Sequence, residues 1–555
     1  MKLVTGEEMR HLEEAANASG LSYAMMMENA GRAVAQAIHA RRGRSPCAVT
    51  ILAGPGNNGG DGLVAARYLW QWGYLVRVYL WKRSQTPDPP LEAAKALGIP
   101  ILREEEDADC ARLREAVRQA EIIVDALLGT GAKGPLRGNL PSLLGCVKEI
   151  LAQRRPARAE EPFQTVGGTP PGYREAPRPL VVAVDMPSGL DCDTGAIDEA
   201  ALRADLTITF AHPKRGHLAF PGAECVGELL VADIGISPSL AQGLPVEVAT
   251  AAQVASWLPQ RPPNAHKGTF GKALIIAGST NYVGAPRLAA EAACRIGAGL
   301  VTLALAGSVY PVVASRLTEP TYLVLPDDMG VLTADALKVL AERLTGYEAL
   351  LVGPGLGQEK VTEAFLAGLL SGQWRAPRPP IGFGTAETAP AAPAPLPPLV
   401  LDADALNLLA RLPERLNALP ANAVLTPHPG EMARLAALSV EEINADRLGV
   451  ARRFAEAWRC TLLLKGAYTV VAASDAPTVV IPFANPALAT AGTGDVLAGT
   501  IVGLMAQGLA PYRAAICGAY IHGLAAEIWR EAHGQAGMMA GDLLPLLPEA
   551  LRRLQ

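Results

Sequence analysis

Short apolar runs rich in β-branched residues alternate with helical stretches along most of the chain. Such runs are typical of the buried strands of a parallel sheet that is covered on both faces. In the first half, the predicted strands read AVTILAG, YLVRVYLW, EIIVDALLG, LVVAVDMPSG, DLTITFA and ELLVADIG. In the second half, they read KALIIAGS, GLVTLAL, ALLVGPGLG, LVLDADAL, AVLTPHPGE, CTLLLKG and YTVVAAS. The pattern predicts an α/β protein of two doubly wound domains in series.

The alternation is interrupted at three places. Residues 236–261 contain several prolines and one short helical pattern, so we predict a linker there, between a first domain at 1–235 and a second domain at 262–555. Two stretches rich in Pro, Ala and Gly follow Leu151 and Trp374. Their composition is unsuited to a packed core, and we predict mobile loops with no direct role.

The length and the charge support this picture and exclude some partners. With 555 residues, the chain is too long for a single hydrophobic core. The net charge is -5 and only 19% of residues are charged, so we expect no nucleic-acid partner. An uncharged run at 496–512 approaches the length of a membrane span, but it contains Gln507 and several glycines. We therefore predict a core helix there and no membrane partner.

The start of the chain and the cysteines indicate the compartment. The segment MKLVTGEEMRHLEEAA has early acidic residues and no apolar centre, so we expect no signal peptide. Thr5 and Glu8 have the spacing of a capping box that opens a helix. The eight cysteines show no paired spacing typical of zinc ligands or of a disulfide framework. We expect free thiols in a cytoplasmic homo-oligomer.

A glycine-rich loop follows the first predicted strand. The sequence GPGNNG at 54–59 fits the pattern G-x-G-x-x-G, in which glycines let backbone N–H groups approach a pyrophosphate at a helix N-terminus. The next strand ends in Lys82 and Arg83, whereas a dinucleotide-binding dehydrogenase has an acid there that holds a ribose. The loop alone is therefore weak support for an ordinary dehydrogenase.

Polar side chains lie in this loop and follow two later strands. Asn58 and Asp61 lie in the loop, Asp125 lies in VDALLGTG, and Asp185 and Ser188 lie in VDMPSGLD. The carboxyl ends of parallel strands converge on one crevice, so these oxygens could meet there. They are hard ligands, suited to an alkali or alkaline-earth cation and unsuited to zinc. For any one of them, a loop cap or an Asx turn is an equally good interpretation.

A second glycine-rich loop, AGTGD, precedes the apolar run of the second half. The chain has no G-x-x-x-x-G-K-[ST] motif, which excludes a P-loop. AGTGD places the N–H groups of Gly492, Thr493 and Gly494 at a helix start, where they favour negative charge on a transferring phosphoryl group. Asp495 can then accept a proton from an attacking hydroxyl. The alternative for this motif alone is a capped turn.

Other segments of the second half add ligand-binding features. LLLKGAYTVV sets Lys465 at a strand end, a plausible cradle for a nucleotide. LTPHPGE supplies His428 and Glu431, and we interpret His428 as a substrate contact. Gly355 and Gly357 in LLVGPGLG allow a close approach of the backbone to a ligand.

Four motifs of the first half, GPGNNGGDGLVAAR, DALLGTGAKGPLRG, VDMPSGLDCDTG and AHPKRGH, together resemble the epimerase domain of the bifunctional NAD(P)H-hydrate repair enzymes. The resemblance covers about residues 1–235 and implies a Rossmann-like fold. It also implies that Asn58, Asp125 and Ser188 bind K⁺. Epimerisation inverts a hydroxyl-bearing ring carbon, and Asp185 is our candidate acid or base, with Lys214 as its charge partner. The residues that the resemblance places around the hydrated dinucleotide are Asn57, Asn58, Gly59, Gly60, Asp61, Gly129, Thr130, Gly131, Ala132, Lys133, Gly134, Pro135 and Asp185.

The motifs HKGTFGKALIIAGS, GAPRLAAEAACRIGAGLV, GPGLG, LDADALN, TPHPGE, KGAYTVV and AGTGDVLAG look like the ribokinase-like dehydratase domain of the same family, over about residues 262–550. The resemblance implies the substrates NADHX and NADPHX, and ADP with Mg²⁺ as phosphoryl donor. Asp495 would act as base when the C6 hydroxyl attacks the terminal phosphoryl group. The implied nucleotide contacts are Lys465, Gly466, Ala467, Tyr468, Thr469 and Gly494. The implied substrate contacts are Ala285, Gly355 or Gly357, His428 and Asp495, while Asp402 and Asp404 could equally be structural.

Two alternatives remain open at the level of the sequence. One is a ribokinase-like vitamin or sugar kinase, whose phosphorylated product is stable. The other is a first domain that only binds a ligand, because Rossmann-like folds host many functions.

Overall fold

The computed structural model describes residues 1–42, 46–84, 86–132, 134–153, 178–372, 396–416 and 419–555. Most of the two Pro-rich stretches, predicted as mobile loops, and Lys133 lie outside the described residues. The chain forms two compact units. The amino-terminal unit is Lys2–Leu244, and the carboxy-terminal unit is Pro245–Gln555 together with Met1.

The described part of the amino-terminal unit contains a seven-stranded sheet and six α-helices. The strands are β1 (Ala48–Ala53), β2 (Leu75–Leu80), β3 (Ile101–Arg103), β4 (Ile122–Ala126), β5 (Leu180–Val184), β6 (Leu206–Phe210) and β7 (Glu228–Ala232). The helices are α1 (Gly6–Ala18), α2 (Tyr23–Arg41), α3 (Asn57–Gln71), α4 (Pro89–Ala96), α5 (Ala111–Gln119) and α6 (Leu140–Gln153). All pairings are parallel, in the order β3-β2-β1-β4-β5-β6-β7. The strand order therefore reverses between β1 and β4, where a Rossmann-like sheet binds its ligand.

The described part of the carboxy-terminal unit is built on a ten-stranded sheet and a two-stranded hairpin. The strands are β8 (Val246–Val248), β9 (Lys272–Ile276), β10 (Leu300–Ala306), β11 (Thr321–Leu325), β12 (Asp327–Asp328), β13 (Val331–Leu332), β14 (Ala349–Val352), β15 (Leu399–Leu401), β16 (Ala423–Leu425), β17 (Thr461–Leu464), β18 (Val470–Ala472) and β19 (Thr478–Val480). The order of the large sheet is β11-β10-β9-β14-β15-β16-β17-β18-β19-β8. It is parallel from β11 to β17, and β17, β18 and β19 are antiparallel neighbours. Its order reverses between β9 and β14.

The helices of the carboxy-terminal unit cover this sheet and are described in chain order. They are α7 (Ala251–Trp257), α8 (Gly284–Arg295), α9 (Tyr310–Ala314), α10 (Ala336–Arg343), α11 (Lys360–Ser371), α12 (Asp404–Leu409), α13 (Pro413–Leu416), α14 (Pro429–Ala436), α15 (Val440–Ala445), α16 (Arg447–Trp458), α17 (Thr493–Ala506), α18 (Pro511–His533), α19 (Ala540–Leu543) and α20 (Leu546–Leu554). Within the predicted linker, β8 pairs with β19 in the large sheet.

The predicted fold class is confirmed, because every predicted strand segment contains an observed strand. The central strands are buried on both faces, as in β4, where all five residues are buried. The capping box is also confirmed, since the Thr5 side chain accepts from the Glu8 N–H and the Glu8 carboxylate accepts from the Thr5 N–H.

The uncharged run at 496–512 forms parts of two helices, because α17 ends at Ala506 and α18 begins at Pro511. A proline at a first helical position costs no hydrogen bond, so the new helix starts there. Among the described residues, we find no helix that combines the length and the apolar character needed to cross a lipid bilayer.

Candidate active sites

The glycine loop of the amino-terminal unit lies where the strand order reverses, between β1 and the end of β4. The Gly54 N–H donates to the Ala126 carbonyl at 3.0 Å. A Cβ on Gly54 would lie 1.8 Å from the Leu127 carbonyl oxygen, and a Cβ on Gly59 would lie 2.0 Å from the Gly54 carbonyl oxygen. Only glycine fits these approaches. Helix α3 then begins without a side-chain cap, so its first N–H groups are available to an anion.

Arg83, at the end of β2, supports this loop from the interior of the unit. Its Nη1 donates to the carbonyls of Gly54 and Gly56, both at 2.9 Å. Its Nε and Nη2 bind the two carboxylate oxygens of Asp88 at 2.7 and 2.9 Å. Arg83 and Asp88 are 3% and 4% exposed, so this is a buried, bidentate ion pair. Arg83 thus binds carbonyl oxygens of the loop and does not compete for the N–H groups of the loop.

Asn58, Asp125 and Ser188 are brought together through the backbone of Leu128. The Asn58 side chain donates to the Leu128 carbonyl at 2.9 Å, and the Leu128 N–H donates to the Ser188 hydroxyl at 2.9 Å. That hydroxyl donates to Asp125 at 2.6 Å. Burial raises the pKa of Asp125, although its hydrogen bonds with Ser188 oppose the shift. The buried Asn58 Oδ1 has no hydrogen-bond partner among the described residues, which leaves one oxygen donor available to a cation.

Asp185 follows β5 and forms a buried ion pair with Lys214. The two atoms, Lys214 Nζ and Asp185 Oδ1, are 2.5 Å apart, and the Thr209 hydroxyl also donates to Asp185 Oδ1 at 2.9 Å. Burial alone would raise the pKa of Asp185, but the charge of Lys214 prevails and the pKa is lowered. His217 accepts from the Lys214 N–H, and burial lowers the pKa of its ring to about 4. Asp185 is therefore ionised at neutral pH.

The predicted dinucleotide segment after β4 runs beside the same loop. A Cβ on Gly129 would approach the Asn58 side chain to 3.3 Å, and the Ala132 N–H donates to the Gly129 carbonyl at 3.1 Å. A Cβ added to Gly131 or Gly134 would have no neighbouring atom within 4 Å in the described part of the chain. The structure thus brings 129–132 to Asn58, whereas Lys133 lies outside the described residues.

In the carboxy-terminal unit, a second glycine cluster follows β14 at the point where the strand order reverses. Gly353, Gly355 and Gly357 have φ values of 137°, 63° and 83°, which favour glycine. A Cβ on Gly355 would lie 3.1 Å from the Ala285 Cβ, so these two predicted substrate contacts are neighbours. The Gly357 N–H donates to Asp404 at 3.0 Å.

A partly buried lysine lies at the end of the carboxy-terminal sheet. Lys465 Nζ lies 2.7 Å from Asp402 Oδ1 and 3.6 Å from Glu431 Oε2. The Thr426 hydroxyl also donates to Asp402, at 2.7 Å. Burial would lower the pKa of Lys465, but its carboxylate neighbours, first Asp402, raise it. A Cβ on Gly494 would lie 3.6 Å from Nζ, so the lysine also adjoins the second glycine loop.

Asp495 lies in the first turn of α17, whose first residue is Thr493. The capping position, Gly492, has φ +90° and provides no side-chain cap. His522 Nε2 donates to the Thr493 carbonyl at 3.0 Å and holds this helix start from α18. Burial first, and then the charge of Asp402, raise the pKa of Asp495, and Lys465 opposes both; the resulting pKa is about 7. The carboxyl group can thus gain or lose a proton near neutral pH.

His428 caps helix α14 and is half-exposed. Its ring Nδ1 accepts from the Gly430 N–H at 3.0 Å, and its backbone N–H donates to the Glu431 carboxylate at 2.8 Å. Burial lowers the pKa of His428, and the charge of Lys465 lowers it further. The ring is therefore neutral near pH 7, with Nδ1 already engaged in the cap.

The predicted nucleotide segment 465–469 connects β17 to β18. Its backbone is held by Arg447, whose Nη2 donates to the carbonyls of Leu464 and Lys465, both at 3.1 Å. The Tyr468 N–H donates to the Phe483 carbonyl at 2.9 Å, and Tyr468 has φ +54°. Burial lowers the pKa of Arg447 to about 10. Within the described residues, this guanidinium has no carboxylate partner.

Several contributing residues were missed from the sequence. From the sequence alone, Arg83 is only a mismatch to the dehydrogenase pattern. Asp402 follows a buried strand, but the sequence does not assign it to the site. His522 and Arg447 reach the loops from helices distant in sequence, and no local motif identifies them. Glu13 on α1 is also near the Asp185 pair, since Lys214 and Asp185 both act on its pKa, which burial raises.

The two sites and the sheet orders define a two-domain α/β enzyme with a Rossmann-like unit and a ribokinase-like unit. Residues 23–216 match the family model of the YjeF-related protein N-terminus, and residues 273–549 match that of NAD(P)H-hydrate dehydratase. A bifunctional NAD(P)H-hydrate repair enzyme Nnr from Moorella thermoacetica is 39% identical, over 100% of this chain and 97% of that protein. The Escherichia coli enzyme of the same name is 35% identical, over 96% and 90%.

Among solved structures, an ADP/ATP-dependent NAD(P)H-hydrate dehydratase from Bacillus subtilis, co-crystallised with ATP and Mg²⁺, is 29% identical. It matches 56% of this chain and 100% of its own, with a TM-score of 0.45. The full-length similarities show that the chain belongs to the family of bifunctional NAD(P)H-hydrate repair enzymes. It is accordingly an enzyme with two activities, an NAD(P)H-hydrate epimerase and an NAD(P)H-hydrate dehydratase.

Proposed function

We propose that residues 1–235 interconvert the R and S hydrates of NADH and NADPH, and that residues 262–555 dehydrate the S form with ADP as phosphoryl donor. Family membership and the separate matches of the two halves support this division. The products of the second reaction are the intact cofactor, AMP and phosphate.

The partly buried carboxyl group of Asp495, with its pKa of about 7, carries the proposal for the dehydratase. Asp495 takes the proton of the C6 hydroxyl while the hydroxyl oxygen attacks the terminal phosphoryl group of ADP. The start of α17, which has no side-chain cap, favours the negative charge that develops on that phosphoryl group. Phosphate then leaves C6, a proton leaves the adjacent ring carbon, and the ring double bond forms.

The neighbouring loops would hold the two substrates of this step. The segment 465–469 and Gly494 would surround the nucleotide, with Mg²⁺ on its phosphates. Ala285, Gly355 or Gly357, and His428 would face the hydrated ring. Support comes from two neighbouring pairs: Gly355 adjoins the Ala285 side chain, and Gly494 adjoins the Lys465 ammonium group.

For the epimerase, we propose that Asp185 and Lys214 act on the hydrate and that the start of α3 at 57–61 and the segment 129–135 hold it. Asn58, Asp125 and Ser188 fit a K⁺ ion, because they supply buried oxygen atoms, one of which, Asn58 Oδ1, lacks a partner in the described part of the chain. A bound K⁺ would supply positive charge that offsets Asp125 and the phosphates of the dinucleotide.

Incubation with mixed hydrate epimers and either ADP or ATP tests the proposal. Return of the cofactor absorbance, with AMP and phosphate as products, is expected to proceed to completion with ADP. A stable phosphorylated product would instead identify a vitamin or sugar kinase. If conversion by the wild type stops when the S epimer is consumed, the first domain is not catalytic. We expect conversion by D185N to stop at that point. The homo-oligomeric state and the cytoplasmic location stay predictions, and light scattering measures the former.

A further inference from the structure

Asp61 is a buried carboxyl group of the amino-terminal site for which the described part of the chain provides no bonding partner. It lies one turn into α3, directly after the glycine loop, and is 8% exposed. Within the described residues, its side chain forms no hydrogen bond and no ion pair. Burial of an isolated carboxylate costs far more free energy than burial of the protonated acid. Asp61 therefore holds a proton under conditions in which surface carboxyl groups are ionised.

The charged groups around Asp61 do not neutralise it. They are Asp185, Glu13, Lys214 and Arg83, which lie after β5, on α1, after β6 and after β2. Lys214 is engaged by Asp185, and Arg83 is engaged in a bidentate pair by Asp88. Burial first, and then the charges of Asp185 and Glu13, raise the pKa of Asp61 well above its usual value.

One site thus contains a protonated carboxyl group, Asp61, and an ionised one, Asp185. In enzymes, such a difference identifies the first as the acid and the second as the base. Asp185 is held ionised by Lys214, so it cannot give up a proton. Loss of the C6 hydroxyl from the hydrate needs a proton, because hydroxide is a poor leaving group. We propose that Asp61 is the general acid of the epimerase and that Asp185 is its ionised partner. This inference rests on the proposed function of the unit.

The step is balanced without an oxidant or a reductant. Asp61 gives its proton to the C6 hydroxyl oxygen, and the C6–O bond breaks with its electron pair on oxygen. The lone pair of the adjacent ring nitrogen forms a nitrogen–carbon double bond, and water is released. Water then adds to the opposite face of C6 and loses a proton to solvent, and Asp61 takes up a proton from solvent to complete the cycle. Asp185 orients the water and offsets the positive charge of the ring.

The pH dependence of epimerisation separates an acid from a residue that only binds. The acid form of Asp61 is required, so kcat is expected to be level at low pH and to fall as pH rises through the raised pKa of Asp61. Asp61→Asn keeps the size and the polarity of the side chain but has no proton to give. We expect its epimerase kcat to fall about 10²- to 10⁴-fold, with no alkaline limb and with KM little changed.

The experiment measures both epimers by chromatography, with the full chain, from pH 5 to 9, and subtracts spontaneous epimerisation. Glu92→Gln, an exposed change on α4, is the matched control, and Glu13→Gln tests the other neighbouring carboxyl group. A variant D61N that keeps kcat and raises only KM, or an alkaline limb that E13Q removes instead, would overturn the assignment.

The outcomes also separate this inference from the proposed function. If the wild-type chain does not exceed the spontaneous rate, the epimerase proposal itself is wrong. If the wild type is active and D61N is equally active, only the role of Asp61 is wrong. Dehydratase activity and thermal unfolding report whether D61N is folded. Should D61N not fold, a wild-type kcat profile without an alkaline limb would still contradict a general acid.

Discussion

The two sites share a lysine–aspartate pair with a buried aspartate but place it differently. Lys214 binds Asp185, the residue proposed to act on the hydrate, and the pKa of Asp185 is lowered. Lys465 binds Asp402 instead, and Asp495 keeps a pKa of about 7. A fixed carboxylate can stabilise positive charge, whereas a carboxyl group near its pKa can take up a proton. With the proposed roles, the same kind of pair would serve two different reactions, depending on which aspartate the lysine engages.

Replacing Asp495 separates the two sites most strongly. In Asp495→Asn, we expect dehydratase kcat to fall about 10²- to 10⁴-fold, because the proposed base is absent. Epimerase activity should stay at the wild-type level. The measurement combines the return of cofactor absorbance with ADP and chromatography of the two epimers. Asp335→Asn, an exposed change in the same unit, is the control, and a D495N rate close to that of the control would exclude Asp495 as the base.

Two arginines that hold loop carbonyls, the buried Arg83 and the partly buried Arg447, give a second comparison, in stability. Arg83→Met leaves the buried Asp88 without its partner, which should lower the free energy of unfolding by about 3–5 kcal/mol. Arg447→Met leaves no buried carboxylate unpaired within the described residues and only frees the carbonyls of Leu464 and Lys465, so we expect about 1–3 kcal/mol.

Urea denaturation measures these losses, and hydrogen exchange in α3 and α16 assigns each loss to its unit. Arg452→Met, which removes a more exposed arginine of α16, is the control. Equal losses for Arg83→Met and Arg447→Met would show that the carboxylate partner is not what distinguishes the two arginines.

The sequence predicts the sheets better than it predicts these supporting contacts. Buried parallel strands read as apolar runs, and the glycine loops read as motifs, so β1 with its loop and α17 with AGTGD follow directly from the chain. The short strand β3 carries only three partly buried residues and gives no such signal. Arg83 and His522 hold backbone carbonyls of loops far away in sequence. Their roles depend on tertiary packing, which no local pattern contains.

Both units also contain a buried, neutral histidine, and these give a matched effect of pH on stability. Burial lowers the pKa of His217 and of His522 to about 4 each. In the unfolded chain, each histidine binds a proton near pH 6.5, whereas in the folded chain it stays neutral until about pH 4. The folded state therefore loses stability as pH falls from about 6.5 toward 4. The loss is up to about 3 kcal/mol for each histidine. In His522→Gln, the amide can still donate to the Thr493 carbonyl without titrating.

We expect His522→Gln to reduce the acid sensitivity of the carboxy-terminal unit and to leave that of the amino-terminal unit unchanged. Urea midpoints between pH 4 and 7, with exchange in α17 and α3 as separate reporters, measure this. An unchanged acid sensitivity in α17 would mean that other groups dominate it.

The smallest expected effect tests the comparison of the lysine–aspartate pairs directly. Asp495 must be ionised to act as base, so dehydratase kcat should rise about tenfold per pH unit below 7 and level off above it. Asp402→Asn removes a negative charge that raises the pKa of Asp495, and it frees Lys465 to stabilise the Asp495 carboxylate. The acid limb should therefore move to lower pH, by about one unit. A limb that stays in place would show that burial alone sets the pKa of Asp495, and that the choice of lysine partner does not distinguish the two sites.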